Sequence, residues 1–169
     1  MRIVVSDTSC LIDLRKAALL DSLLSLPYEF LIPNTLFEEE LLKFTPAQKK
    51  ALLRGGLKVV DLPGARVLRS QTIIRELPQL SVHDGFAFAL AESHSGCILL
   101  SADDALRKLA ARHAIEVHGV LWVLDQLHKH QLTSVAAILT VLRTFSEDVT
   151  VRLPHRELTA YVKKYEGLA

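Results

Sequence analysis

The sequence predicts an α/β sandwich, with helices around a mostly parallel central sheet and a helical extension at the C-terminus. Three observations lead there. Short apolar runs of strand length alternate with helix-period segments as far as Gly119. Beyond Gly119 only helical patterns remain. Acidic residues recur just past the apolar runs, where open parallel sheets gather their ligands.

The runs suited to buried strands are 3–6, 30–32, 57–60, 97–101 and 115–117. Helical spacing of apolar residues fills the gaps at 10–26, 35–44, 46–54, 67–77, 82–93 and 105–112. Three further helices are expected over 120–130, 134–145 and 155–165, with Pro154 in the first turn of the last. There is no repeat, low-complexity tract or long linker, and 169 residues suit one unit with a sizeable core. Within it we divide residues 1–122, the α/β part, from 123–169, a helical extension packed on the same domain.

Half of the residues are hydrophobic, yet no apolar stretch nears the roughly 20 residues that cross a bilayer. The N-terminus reaches Asp7 without a long apolar run, so no signal peptide is expected and the cytoplasm is the expected compartment. Cys10 and Cys97 lie in or beside apolar segments and read as reduced core residues. The net charge of +1 hides an uneven distribution. Residues 43–76 carry Lys43, Lys49, Lys50, Arg54, Lys58, Arg66, Arg69 and Arg75 against Asp61 and Glu76, whereas the first 42 residues are acidic. That contrast suits an enzyme that grips a phosphate backbone with cations and a metal with carboxylates.

The acids stand at chosen places. Asp7 follows the first run, Asp103 and Asp104 follow 97–101, Asp84 opens the 82–93 helix, and Glu39 and Glu40 lie on the helix after 30–32. Each alone has an ordinary role: Asp7 and Asp103 as helix caps, Ser81 to Asp84 as a capping box, Glu38 to Glu40 as a wet helix face. Brought together they would repel, by about 4 kcal/mol for two charges about 4 Å apart at an effective dielectric of about 20. A divalent cation removes that penalty, and hard oxygen ligands favour Mg²⁺ or Mn²⁺ over zinc. His128 and His130, two apart on a helix, point in different directions and make a poor metal pair. No glycine-rich phosphate loop is present, so nucleotide cofactors are not indicated.

The order of these motifs resembles that of PIN domains. Val5-Ser6-Asp7-Thr8-Ser9-Cys10-Leu11-Ile12-Asp13-Leu14 is similar to the family's opening motif. Ile32-Pro33-Asn34-Thr35-Leu36-Phe37-Glu38-Glu39-Glu40-Leu41 looks like the second, a strand, a proline and a helix bearing one acid. Leu80 to Ala91, around Ser81-Val82-His83-Asp84-Gly85, resembles the third. Leu99-Leu100-Ser101-Ala102-Asp103-Asp104 resembles the fourth, with Ser101 where the family more often has Thr. The likeness covers about residues 1–122 and thins beyond Gly119.

The resemblance implies a three-layer α/β/α sandwich and a VapC-type toxin ribonuclease. By it, Asp7, Glu40, Asp84 and Asp103 hold one or two Mg²⁺ or Mn²⁺ ions and carry catalysis. Ser9 and Ser101 would orient them, with Glu39 the reserve for Glu40 and Asp104 an additional candidate. Hydrolysis would leave a 5′-phosphate and a 3′-hydroxyl, with RNA as substrate and Lys49, Lys50 and Arg54 contacting its backbone. An antitoxin protein and a homodimer are the partners the resemblance adds, and apolar stripes at Val120, Val123, Leu124, Leu127 and at Val135, Ile138, Leu139, Leu142 offer surfaces for them. The competing reading is a PIN fold that binds RNA or protein without cutting.

Overall fold

Five strands, β1 (Arg2–Ser6), β2 (Tyr28–Pro33), β3 (Lys58–Val60), β4 (Ile98–Leu100) and β5 (Glu116–His118), form one all-parallel sheet in the computed structural model, which describes residues 1–169. Their order is β3-β2-β1-β4-β5. Val4 stands between Phe30 and Ile98, and Val5 between Leu31 and Leu99. All six are nearly or fully buried. Burial on both faces is why these strands read as continuous apolar runs rather than alternating ones.

The chain leaves β1 toward β2 and β3 on one side and returns to β4 and β5 on the other. The order therefore reverses at β1 and β4, and their carboxyl ends flank the crevice where such sheets place ligands. Helix α6 (Val82–Glu92) crosses β1, β2 and β4 and is flanked by α5 (Gly64–Glu76) and α7 (Asp104–Arg112). Helices α1 (Thr8–Lys16), α2 (Leu20–Leu24), α4 (Pro46–Arg54) and α8 (Val120–Lys129) pack with one another as the other layer. The short α3 (Asn34–Glu39) closes the end of β2.

Helix α9 (Val135–Glu147) packs on α10 (His155–Glu166). Asp125 of α8 accepts hydrogen bonds from Tyr161 (2.8 Å), Lys164 (2.7 Å) and Tyr165 (2.5 Å), which ties α10 down. Val120, Val123, Leu124, Leu127, Ile138 and Leu142 join the same buried cluster as the strands. These stripes are thus covered by the chain itself, and they supply no argument for a partner. Cys10 and Cys97 are buried free thiols, as the sequence implies.

Three expectations need correcting. The helix expected over 10–26 is two helices, because α1 closes at Ala18, which sits at φ 55°. Ala18 N–H donates to Arg15 O and Leu19 N–H to Leu14 O, the paired bonds of a Schellman stop. The helix expected over 35–44 ends at Glu39, so Glu40 caps it rather than riding on it. Thr45 and Gln48 form a reciprocal capping box with Pro46 in the first turn, so a new helix starts at 46 and the chain must turn before it. Lastly, Pro154 precedes the first turn of α10 instead of lying inside it.

Candidate active site

Asp7 is the first residue past β1, and its N–H donates to Leu100 O of β4, which pins it at the crevice. Its Oδ1 accepts from Thr8 N–H at 2.9 Å, starting α1. Its Oδ2 accepts from the Ser9 and Ser101 hydroxyls, each at 2.9 Å. The same two hydroxyls accept from Ala102 N–H (2.9 Å) and Asp103 N–H (3.0 Å), so they lock the β1 end to the β4 end. Asp7 is only 4% exposed and has no basic partner. Burial pushes its carboxyl up to about 6, against the pull of the two serines, and the charges of Asp84 and Glu40 push the same way.

Glu40 comes from the turn after α3. Its Oε1 accepts from the Thr8 hydroxyl at 2.9 Å, which binds the second motif to the first. His83 spans the two neighbouring glutamates, with Nε2 2.7 Å from Glu39 and Nδ1 3.6 Å from Glu40. Asp84 is the third residue of α6, where its carboxylate accepts from Ser81 N–H while Ser81 Oγ accepts from Asp84 N–H. Burial raises the Asp84 carboxyl, and the Asp103 charge adds to it. Asp103 caps α7 through Oδ1, which accepts from Leu106 N–H at 2.9 Å. Each of these caps uses one carboxylate oxygen, so capping leaves the second oxygen of Asp84 and of Asp103 for other work.

All four acids line one cavity of about 670 Å³. Ser9 lines it too, while Ser101 lies fully buried behind Asp7. Glu39 and Asp104 do not line it: Glu39 faces outward onto His83, and Asp104 pairs with Lys108 at 2.8 Å. Lys49, Lys50 and Arg54 are also elsewhere, on α4, with Lys49 Nζ 5.1 Å from the centre of the Phe37 ring. The cations that border the cavity are Arg15, Lys16, Lys43 and Arg152.

Sequence reasoning missed Thr8, Arg152 and above all Asp13. Asp13 lines the cavity, is 6% exposed, and is raised to about 6 by burial. Its sequence signal was a charge between Ile12 and Leu14 inside an apolar helix face.

No group of three or more His, Cys, Asp and Glu side chains converges closely enough to hold an ion. The donor set nonetheless fits a hard cation. It consists of carboxylates, with a buried one that lacks any positive partner and is raised further by two of the others. A cation among them would supply the missing counter-charge.

A family model described as a PIN domain matches residues 3–166. No curated protein matches the chain. No helix is long and apolar enough to cross a membrane.

Proposed function

The chain belongs to the PIN-domain family, and on that premise we propose that it is a metal-dependent endoribonuclease, the toxin of a toxin–antitoxin pair. PIN domains are generally nucleases that use divalent ions, so the substrate class is nucleic acid. The observation that carries the finer reading is the gathering of Asp7, Glu40, Asp84 and Asp103, from four separate segments, around one cavity at the reversal point of the sheet.

In this reading the four carboxylates hold one or two Mg²⁺ or Mn²⁺ ions, which when bound would activate water and neutralise the phosphate. Ser9 and Ser101 hold Asp7 in one orientation, since each hydroxyl is itself fixed by a backbone N–H from the β4 end. Thr8 steadies Glu40, and His83 stands between it and Glu39. Residues 1–122 are taken as the nuclease unit and 123–169 as its extension. Antitoxin binding and homodimer formation rest on the resemblance alone, and light scattering of the chain, with and without the product of the neighbouring gene, tests both.

A second reading, a PIN fold that binds without cutting, draws on the spread of the acids, no three of which converge on an ion position. Incubating the purified protein with RNA, with Mg²⁺ or Mn²⁺ or with a chelator, separates the two. Cleavage with the metal and none with the chelator is expected. RNA left intact under every condition, by protein that binds it, would favour the second reading.

A further inference from the structure

Two cavities meet at the carboxylate site. The second, of about 740 Å³, opens between the start of α7, the β5–α8 junction and the start of α10. Asp103 and Arg152 line both. A nucleic-acid strand with one phosphate beside the acids must continue somewhere on each side, and the second cavity adjoins that point with room for a nucleotide.

Its walls suit one. Arg107 donates Nη1 to Ser101 O at 2.9 Å and lies against Gly119, where a Cβ would come within 2.9 Å of the guanidinium. That fixes a cation behind the acids while leaving its other N–H groups unused. His118 lies flat on Trp122, with ring centres 4.6 Å apart and planes 7° apart, a preformed π-stack at the border of the cavity. Two further acids face the cavity, Asp104, which is matched by Lys108, and Glu157 in the first turn of α10, which has no ion-pair partner.

Arg152 stands at the waist. It is exposed, on the connection between α9 and α10. Lys16 pairs with Asp148 and Lys164 with Asp125, but the Arg152 guanidinium has no carboxylate within ion-pair distance and no hydrogen-bond partner. Asp13 feels its charge only at longer range. An unpaired guanidinium beside a carboxylate cluster is what a bridging phosphate requires on its far side.

We propose that the second cavity is the subsite for the nucleotide next to the scissile bond, with Arg152 clamping the intervening phosphate and Arg107 and the His118–Trp122 stack receiving the nucleotide beyond it. This rests on the nuclease reading and adds to it a substrate track that crosses the C-terminal extension rather than α4.

The test is fluorescence anisotropy with a labelled single-stranded RNA oligonucleotide in chelator, on the wild type, Arg152→Glu, Arg152→Lys and Arg156→Glu. Arg156 lines neither cavity and controls for net charge. Arg152→Glu should weaken binding about tenfold or more, and flatten the salt dependence by about 0.7 in log–log slope. Arg152→Lys should recover part of the loss, and Arg156→Glu should change affinity less than about twofold. A thermal melt of each variant accompanies the titration. With Mg²⁺ or Mn²⁺ added, Arg152→Glu should lower kcat/KM by at least the factor lost in affinity. Wild-type RNA affinity in Arg152→Glu, with a lowered melting temperature, would make Arg152 a counter-charge to Asp13 and overturn the subsite. If the wild type cuts while that affinity is unchanged, the nuclease reading stands and the subsite falls. If Arg152→Glu loses affinity but no metal supports cleavage, the subsite stands and the nuclease reading falls. A wild type that does not bind the oligonucleotide overturns both.

Discussion

Replacing Asp7 by asparagine should stabilise the metal-free protein at neutral and alkaline pH, by an amount that grows as pH rises from about 4 through about 6 and is level above that. Asp7 is nearly buried, and its carboxyl is raised from the ordinary 3.8 to about 6, first by burial and then by Asp84 and Glu40. The folded state therefore binds this proton more tightly than the unfolded chain. Its contribution to stability is complete below about pH 4 and is lost as pH rises through about 6. A shift of about two units corresponds to about 3 kcal/mol, the cost of holding the ionised group in place.

Asparagine removes that cost and brings a smaller one. Its carbonyl keeps the acceptor for Thr8 N–H, but its amino group turns the Ser9 and Ser101 hydroxyls from donors into acceptors. Each hydroxyl already accepts one backbone N–H, and rearranging the pair costs about 1–2 kcal/mol in all. The net expectation is a gain of about 1–2 kcal/mol near pH 8 and a loss of similar size near pH 4. Urea denaturation of both proteins in chelator across this range measures the difference directly. Asp13 and Asp84 titrate in both proteins, so their effects largely cancel in it. A variant no more stable than wild type near pH 8, or a difference flat with pH, would refute the burial argument. Adding Mg²⁺ at about 100 times its Kd should then stabilise wild type by about 2.7 kcal/mol and leave Asp7→Asn nearly unmoved.

Glu40→Gln should lower RNA cleavage by about tenfold or more relative to Glu39→Gln, because Glu40 lines the cavity and Glu39 faces outward onto His83; the opposite ranking of rates would shift the second motif by one residue. Neutralising Lys49, Lys50 and Arg54 together is expected to leave KM, its salt dependence and kcat nearly unchanged, because α4 lies away from the acids; a raised KM with a flattened salt slope would return the substrate track to α4. Ala18→Gly should stabilise the fold by about 1 kcal/mol, since only the left-handed stop of α1 is relieved; a loss in a thermal or urea melt would mean that the Ala18 methyl packs usefully.

The carboxylates were legible because local rules reach them. Asp7, Asp84 and Asp103 each begin a helix, a role with its own residue preference, and each follows a turn out of a buried segment. Periodicity therefore placed them at one end of the sheet before any contact was known. The helix ends carried no such mark. Helices α1, α7 and α8 stop at Ala18, Ala114 and Gln131, all at positive φ, with the same paired hydrogen bonds and without the glycine that normally announces them. Tertiary packing overrides a penalty of about 1–2 kcal/mol at each stop, so apolar spacing ran through the first one unbroken. The cations show a different limit. Charge density along the chain singled out Lys49, Lys50 and Arg54, yet a run of cations says only that a face is wet, not what it faces. Arg15, Lys16, Lys43 and Arg152 border the cavity of the acids from α1, the turn before α4 and the α9–α10 connection, positions scattered over more than a hundred residues of sequence. Their proximity exists only once the chain has folded, whereas the placing of the acids at one end of the sheet could be read from the chain.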